Sequence, residues 1–329
     1  MLVTGPNGAG KTNLLESLHV GTQGFSPRSR MDAQLVRNGA LRSRIHLKGD
    51  RAGVPTAVEV TLGVHETKRV KLNGAPLRSA ESLRSELATL VFTPDRLSVV
   101  KGGPAIRRAY FDRTLARLLP ARASLSIDYG AALGQRNAVL RRVAGRTTPI
   151  DALDPWTAQV ARLGADLVAS RSETVALLLP GFSARAAELG LDNARLEYEA
   201  VPPTEELLQA RVTRDVERGT TGLGPHLDDV VLRAGSRDLR GFGSQGEQRI
   251  AVLALLLAEA ELLHERRSVA PLVLLDDVLS ELDAGRRDTL ARRLAQLPQV
   301  VVTATGAEFL PRVPAQRLEV TPGRVVEVV

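Results

Sequence analysis

The segment "GPNGAGKT", Gly5–Thr12, constrains this chain more than any other stretch, because it fits the phosphate-loop pattern G-x-x-x-x-G-K-[ST] at every position. Glycines let a loop close its backbone amides around phosphate oxygens, and a helix opening directly behind it adds the positive end of its dipole. Both flanks suit this, with apolar Leu2-Val3 ahead and the helix-like "NLLESLHV" behind. A strand–loop–helix unit of this kind points to an α/β domain built on a parallel sheet. The candidate nucleotide cradle is Gly5, Pro6, Asn7, Gly8, Ala9, Gly10, Lys11, Thr12 and Asn13. Within it Lys11 reaches the β- and γ-phosphates and Thr12 ligates Mg²⁺. Lysine is scarce here, at Lys11, Lys48, Lys68, Lys71 and Lys101 only, so its presence at this position is informative.

A second nucleotide motif lies far downstream. "PLVLLDDVLSELD", 271–283, is an apolar run ending in two aspartates. As a buried parallel strand it stops at the carboxyl edge of the sheet, where ligands bind in such folds. Asp276 then holds Mg²⁺, and Asp277 orients or deprotonates an attacking water. Without the upstream loop, the same residues read equally well as a strand with a solvated acidic end. Asp283 reads as the N-cap of an amphipathic helix whose Leu290, Leu294 and Leu297 share a face.

Between these motifs sits "FGSQGEQRIAVLALLLAEA", 242–260, a polar cluster running into a helix that is apolar nearly all round. Ser244 and Glu247 have the spacing of a capping box. That local reading leaves Gln245, Gly246 and Gln248 unexplained, since glycine is a poor first-turn residue.

Along the rest of the chain, 56–63 and 67–73 read as a hairpin, 87–94 as a buried strand ending at Pro94, and Gly103 to about Gly219 as mostly helical. Asp154-Pro155 opens one long helix as cap and first-turn proline, and 194–203 interrupts with a strand. The fold class expected is α/β: a P-loop nucleotide-binding lobe of mixed and parallel sheet with an antiparallel part, formed by 1–103 and 219–329. Residues 104–218 form a mostly helical inserted lobe.

Composition limits the partners. The formal charge of +7 favours a polyanion, and 3% aromatic residues argue against a stacking platform for single-stranded bases. Backbone contacts to duplex or junction DNA are the better reading. Arg37, Arg42, Arg44, Lys48 and Arg51, a basic run before the hairpin, are the first candidates, and Arg107 and Arg108 the second. Absent cysteine excludes disulfides and points to a reducing cytoplasm, and no stretch is apolar enough to span a membrane. His226 in "GPHLDD" invites a metal reading with Asp228 and Asp229, but a structural turn is the simpler account; Trp156 reads as core.

The order of these motifs resembles ABC-type ATPases of the SMC/Rad50 branch and, within it, the RecF family of bacterial recombination mediators. "GPNGAGKTNLLES", "FTPDRLSVVKGGPAIRRAYFD", "GPHLDDV", "FGSQGEQR" and "LVLLDDVLSELDAGRR" carry the resemblance over nearly the whole chain. It implies that Ser244, Gln245, Gly246 and Gln248 form a signature loop closing over the γ-phosphate held by a second copy. Ser244 donates its hydroxyl, and Gly246 leaves the helix start bare. It also implies two Mg-ATP molecules sandwiched in a homodimer that grips DNA, and a weak, DNA-stimulated ATPase whose hydrolysis releases it. RecO and RecR are the implied partners, with RecA loading at gaps and support of SOS induction as outcomes. Ser280 and Asp283 lie on the implied crossing loop.

The chain departs from the wider pattern at four points. Asp277 stands where transporters have glutamate, Thr303 and Thr305 where they have the switch histidine, and Asp95 near the place of a glutamine. RecF-like chains carry strands ahead of the phosphate loop, so an internal start is expected. A P-loop phosphotransferase, a transporter ATPase subunit and a DNA scaffold with negligible hydrolysis are the alternatives. The first leaves Ser244–Gln248 unexplained, and the second is disfavoured by the missing histidine.

Overall fold

A computed structural model describes every residue except Arg30, Ala52, Ala80, 267–269, 307–315 and Val329, and leaves aside the side chains of Glu81, Ser85 and Glu86. The strands, in chain order, are β1 (Leu2–Thr4), β2 (Arg42–Arg51), β3 (Val54–Gly63), β4 (Arg69–Leu72), β5 (Ala75–Pro76), β6 (Thr89–Phe92), β7 (Ala194–Tyr198), β8 (Val230–Ala234), β9 (Arg237–Asp238), β10 (Leu272–Leu275), β11 (Val300–Ala304), β12 (Arg317–Thr321) and β13 (Arg324–Val328). The longer helices are α1 (Lys11–Gln23), α2 (Pro104–Leu118), α3 (Leu125–Ala144), α4 (Asp154–Glu188), α5 (Gln245–Arg266) and α6 (Ala284–Leu294). Two compact units result: Met1–Arg96 with Glu188–Gly190 and Leu253–Val329, and Leu97–Ala187 with Leu191–Val252.

The first unit is built on a six-stranded sheet in the order β13-β12-β1-β11-β10-β6. Strands β6, β10, β11, β1 and β12 run parallel, and β13 turns back antiparallel on β12. β1 is only three residues long, yet it lies between β11 and β12 with Leu2 and Val3 fully buried. Continuous apolar runs are what a sheet covered on both faces demands, and Val273, Leu274 and Leu275 supply one. The phosphate loop and the double aspartate therefore leave parallel strands of one sheet, β1 and β10, with only β11 between them.

An antiparallel sheet β2-β3-β4-β5 covers α1. The expected hairpin is β3 and β4, paired from Val58↔Leu72 to Thr61↔Arg69. The ten-residue strand β2 is an addition to the sequence reading, which saw only a basic run there. Its period-two signal rests on Ile45 and Leu47 turned to the core, while Arg42, Arg44, His46 and Lys48 alternate outward and mask the apolar face.

In the second unit, α2, α3 and α4 pack around Leu115, Tyr129, Val160 and Leu167. Trp156 is half-buried against Val139, Leu140 and Leu153. Strands β7, β8 and β9 form a small antiparallel sheet. Arg136 is fully buried, with Nη1 donating to Asp215 Oδ2 at 2.9 Å and to Thr221 Oγ1 at 2.7 Å. Loss of either member of such a pair strands a buried charge, at about 3–5 kcal/mol. Among the described residues, no helix is long and apolar enough to cross a membrane.

Candidate nucleotide-binding site

The phosphate loop takes its shape from residues that tolerate unusual backbone. Gly5, Gly8 and Gly10 all have positive φ, and a Cβ on Gly5 would lie 2.3 Å from the Val320 carbonyl oxygen. Gly10, at φ 107°, is the N-cap of α1, so no side chain caps that helix and no acidic residue occupies its first turn. The first amides of a helix have no acceptor within it. Here they face the loop with their positive end unspent. Lys11 is 8% exposed, and its Nζ donates to the carbonyls of Gly5 at 2.7 Å and Pro6 at 3.0 Å. An ammonium has three donors, so one remains for a ligand.

The second motif meets the first directly. Thr12 Oγ1 donates to Asp276 Oδ1 at 3.1 Å, although 264 residues separate them in sequence. Thr303 Oγ1 donates to the same oxygen at 2.8 Å and accepts the Asp277 backbone N–H at 2.9 Å. Asp277 adopts φ 47°, unusual for a residue with a side chain, and its Oδ1 is buried with no hydrogen-bond partner among the described residues. A small cleft beside this cluster is lined by Thr12, Glu16, Arg28, Thr93 and Asp276. Sequence reasoning passed over Arg28 in that cleft, because nothing local marks the loop behind α1 as returning to the phosphate side. A hydroxyl, a carboxylate and an orphaned carboxylate oxygen are the donor set of a hard divalent cation with its water. The uncapped helix start and Lys11 suit a polyphosphate.

The Ser244 loop is a second helix start, described by itself. Ser244 N–H donates to Glu247 Oε2 at 2.8 Å, and Glu247 N–H donates to Ser244 Oγ at 3.2 Å, which closes the capping box read from the sequence. Arg237 Nη2 donates to Glu247 Oε1 at 2.7 Å. That guanidinium, with the Ser244 amide, holds the Glu247 carboxyl down at about 2. Ser244 Oγ only accepts in the cap, so its own proton stays free to be donated outward. Ser244, Gln245 and Gly246 are exposed, and among the described residues the amides of Gln245 and Gly246 have no acceptor. A Cβ on Gly246 would approach nothing nearer than Ser244 Oγ at 3.9 Å. Gln248 corrects the sequence reading: it points inward, is 4% exposed, and its Nε2 donates to the Leu239 carbonyl at 2.8 Å. Its spacing one turn into a buried helix makes it a brace for the loop, not a ligand contact.

The remaining candidates separate into surface and interior. Arg37, Arg42, Arg44 and Lys48 are exposed, Arg42 being paired with Glu66, while Arg51 is half-buried. Arg69 and Lys71 on β4 share the outward face of β2, through the registers Arg44↔Thr61↔Arg69 and His46↔Glu59↔Lys71, and escaped the sequence reading. Arg107 is a correction: it is 3% exposed and donates twice to the Asp229 carboxylate, at 2.6 Å each. Arg108 is half-buried and donates to the Asp228 carbonyl at 2.7 Å. The "GPHLDD" turn draws both inward. In that turn His226 Nδ1 lies 2.7 Å from Tyr129 Oη, and Nε2 lies 3.0 Å from the Thr221 carbonyl. Burial pushes the His226 imidazole down from its ordinary value. Asp283 caps α6 by accepting the Arg286 N–H at 2.9 Å, Ser280 Oγ donates to the Asp277 carbonyl at 3.1 Å, and Asp95 is exposed on a short 3-10 turn.

Comparisons with known proteins identify the family and the fold. Residues 1–323 match the family model "RecF/RecN/SMC N terminal domain". The chain is 38% identical over 330 residues to the DNA replication and repair protein RecF of Frankia alni, covering 92% of this chain and 86% of that one. The RecF of Heliobacterium modesticaldum is 36% identical over 318 residues, with the same two coverages. Among solved structures, the recombination mediator protein RecF with ATP, of the RecFOR pathway, superposes with a TM-score of 0.85 at 26% identity, covering all of this chain and 91% of that one. The Smc head domain of Pyrococcus furiosus, at 14% identity and a TM-score of 0.59 over 99% of this chain and 89% of that one, shares the fold.

Proposed function

The chain belongs to the RecF family of DNA replication and repair proteins, with the fold of an ABC-type ATPase, and from that premise we propose that it is an ATP-gated, DNA-binding dimer of recombinational repair. The observation that carries the reading is the meeting of Thr12 and Asp276 at 3.1 Å beside an uncapped helix start. Lys11 and the first amides of α1 bind the triphosphate. Thr12 and Asp276 would hold Mg²⁺, which when bound would supply charge neutralisation at the reacting phosphate. Asp277, its Oδ1 free of protein partners, orients the attacking water and takes its proton. Its carboxyl stands one methylene nearer the backbone than a glutamate's, in keeping with slow hydrolysis.

The Ser244 loop serves the second copy. Its free hydroxyl proton and the amides of Gln245 and Gly246 reach the γ-phosphate bound by that copy, and Ser280 and Asp283 lie on the crossing loop. In this reading 1–103 and 219–329 make the ATPase lobe and 104–218 the helical lobe. The exposed face of β2 and β4, with Arg44, Lys48, Arg69 and Lys71, supplies the DNA phosphate contacts, aided by Arg37 and Arg42. RecO and RecR are the partners, RecA loading at gaps and SOS support the outcome, and the nucleoid the place of work.

The test is mass by light scattering on Asp277→Asn with Mg-ATP, Mg-ADP or neither. A dimer with ATP alone is expected, and a monomer in all three conditions overturns the composite site. For DNA, Arg44→Glu with Lys48→Glu is expected to weaken duplex binding equally across sequences. The slope of log K against log salt should fall by about 0.9 for each lost contact; an unchanged slope removes this face from the interface.

A further inference from the structure

We infer that Thr303 is a positioning residue for ATP hydrolysis, its one hydroxyl setting the direction of both aspartates at the end of β10. This rests on the nucleotide reading above. Thr303 is fully buried, in register with Val3 of the strand that leads into the phosphate loop. The sense of its two hydrogen bonds is fixed by chemistry. The Asp277 backbone N–H can only donate, so Thr303 Oγ1 accepts it at 2.9 Å, and the hydroxyl proton goes to Asp276 Oδ1 at 2.8 Å.

The first bond holds strain in place. Asp277 sits at φ 47°, a left-handed conformation that is unfavourable for a residue with a Cβ. An anchored amide keeps that residue from relaxing to ordinary geometry and turning its carboxyl elsewhere. The carboxyl it fixes has a buried Oδ1 with no hydrogen-bond partner among the described residues, so no hydrogen bond to that oxygen sets its direction. The second bond acts on the metal side. Asp276 Oδ1 accepts from Thr12 and from Thr303, and Thr12 is the residue expected to turn its oxygen to Mg²⁺. Thr303 then remains as the donor that holds Asp276. Such outer contacts to metal-ligating side chains typically alter metal affinity or activity by about 10–100-fold when removed. In this chain the strand after the aspartates thus brings a hydroxyl to the site from within the sheet.

Thr303→Val keeps the shape and removes both bonds, whereas Thr303→Ser keeps the hydroxyl. Three readouts separate positioning from mere structure: exchange of the Asp277 amide without nucleotide, the Mg²⁺ midpoint of ATP-driven dimerisation, and steady-state hydrolysis with kcat and KM resolved. For Thr303→Val we expect turnover lower by about 10–100-fold, KM for ATP within about twofold, a higher Mg²⁺ midpoint and faster Asp277 exchange. Thr303→Ser should restore all four to near wild type. Should Thr303→Val not fold, Thr303→Ala makes the same comparison with less bulk. A hydroxyl-free variant with wild-type turnover and wild-type Asp277 exchange overturns the role. A wild-type chain with no ATP-dependent step overturns the nucleotide reading instead, and this role with it.

Discussion

Two helices of this molecule begin at sites proposed here to meet phosphate, and they are prepared in opposite ways. α1 starts from Gly10 with no side-chain cap and no acid in its first turn, beside a buried Lys11. α5 starts from Ser244, exposed and closed by a reciprocal capping box with the ionised Glu247, which Arg237 grips in turn. A helix start carries roughly half a positive charge. At α1 all of it is offered to a ligand, with a full cation added. At α5 an acid already offsets it, and what remains is one hydroxyl proton and the amides of Gln245 and Gly246. The first start suits a polyphosphate taken from solution. The second, offset by its own acid, suits a phosphate that another group holds in front of it, as the proposed composite site between two copies requires.

The largest effect should come from removing the cation at the first start. Lys11→Ala is expected to reduce ATP affinity by roughly 10–100-fold, since a hydrogen bond to a charged group contributes about 1.5–3 kcal/mol and the ammonium keeps one donor for the ligand. Calorimetric titration of the monomer measures it. Retention of ATP affinity within threefold would place the nucleotide elsewhere and dissolve the comparison.

Next in size is the second start. Ser244→Arg fills the exposed surface that a partner copy must approach, and takes away the free hydroxyl. ATP binding by the monomer should stay within about twofold, while the ATP-dependent doubling of mass disappears. Normal dimerisation by this variant sinks the trans role and leaves Ser244 as a cap alone.

What was legible in the sequence follows from the range over which each signal acts. The phosphate loop, the double aspartate and the capping box are encoded within a few residues by glycine conformation, apolar runs and i,i+3 spacing. They could be read directly. Thr303 gains its significance only because β11 pairs with both β1 and β10, a fact of sheet order that no local pattern holds. Arg107 was misplaced for a similar reason: its partner Asp229 is 122 residues away, and an arginine on a helix looks solvated until that partner is known. Gln248 turned inward against expectation because the motif around it is polar while its helical phase is that of the buried face. In β2, four outward basic residues concealed a period-two strand whose inward side shows only Ile45 and Leu47.

The smallest effect tests the comparison most finely, because it divides stability from function at α5. Glu247 is held at about 2 against an ordinary 4.5, with Arg237 as the main cause and the Ser244 amide second. A lowered carboxyl stabilises the fold fully above pH 4.5 and loses that contribution as pH falls from there toward 2. The partner Arg237 is half-exposed, so solvent and salt hold the pair to about 1 kcal/mol or less. Glu247→Gln should therefore lower Tm slightly at pH 7, less in high salt, and match wild type near pH 2. The same change removes the acid that offsets the helix start, so ATP-driven dimerisation should strengthen by a small factor, about 0.3–1 kcal/mol in a favourable helix-end charge change. Lower stability with tighter dimers would show that the second start is tuned by its acid to need a partner. If stability and dimerisation fall together, Glu247 matters only through the shape of the loop.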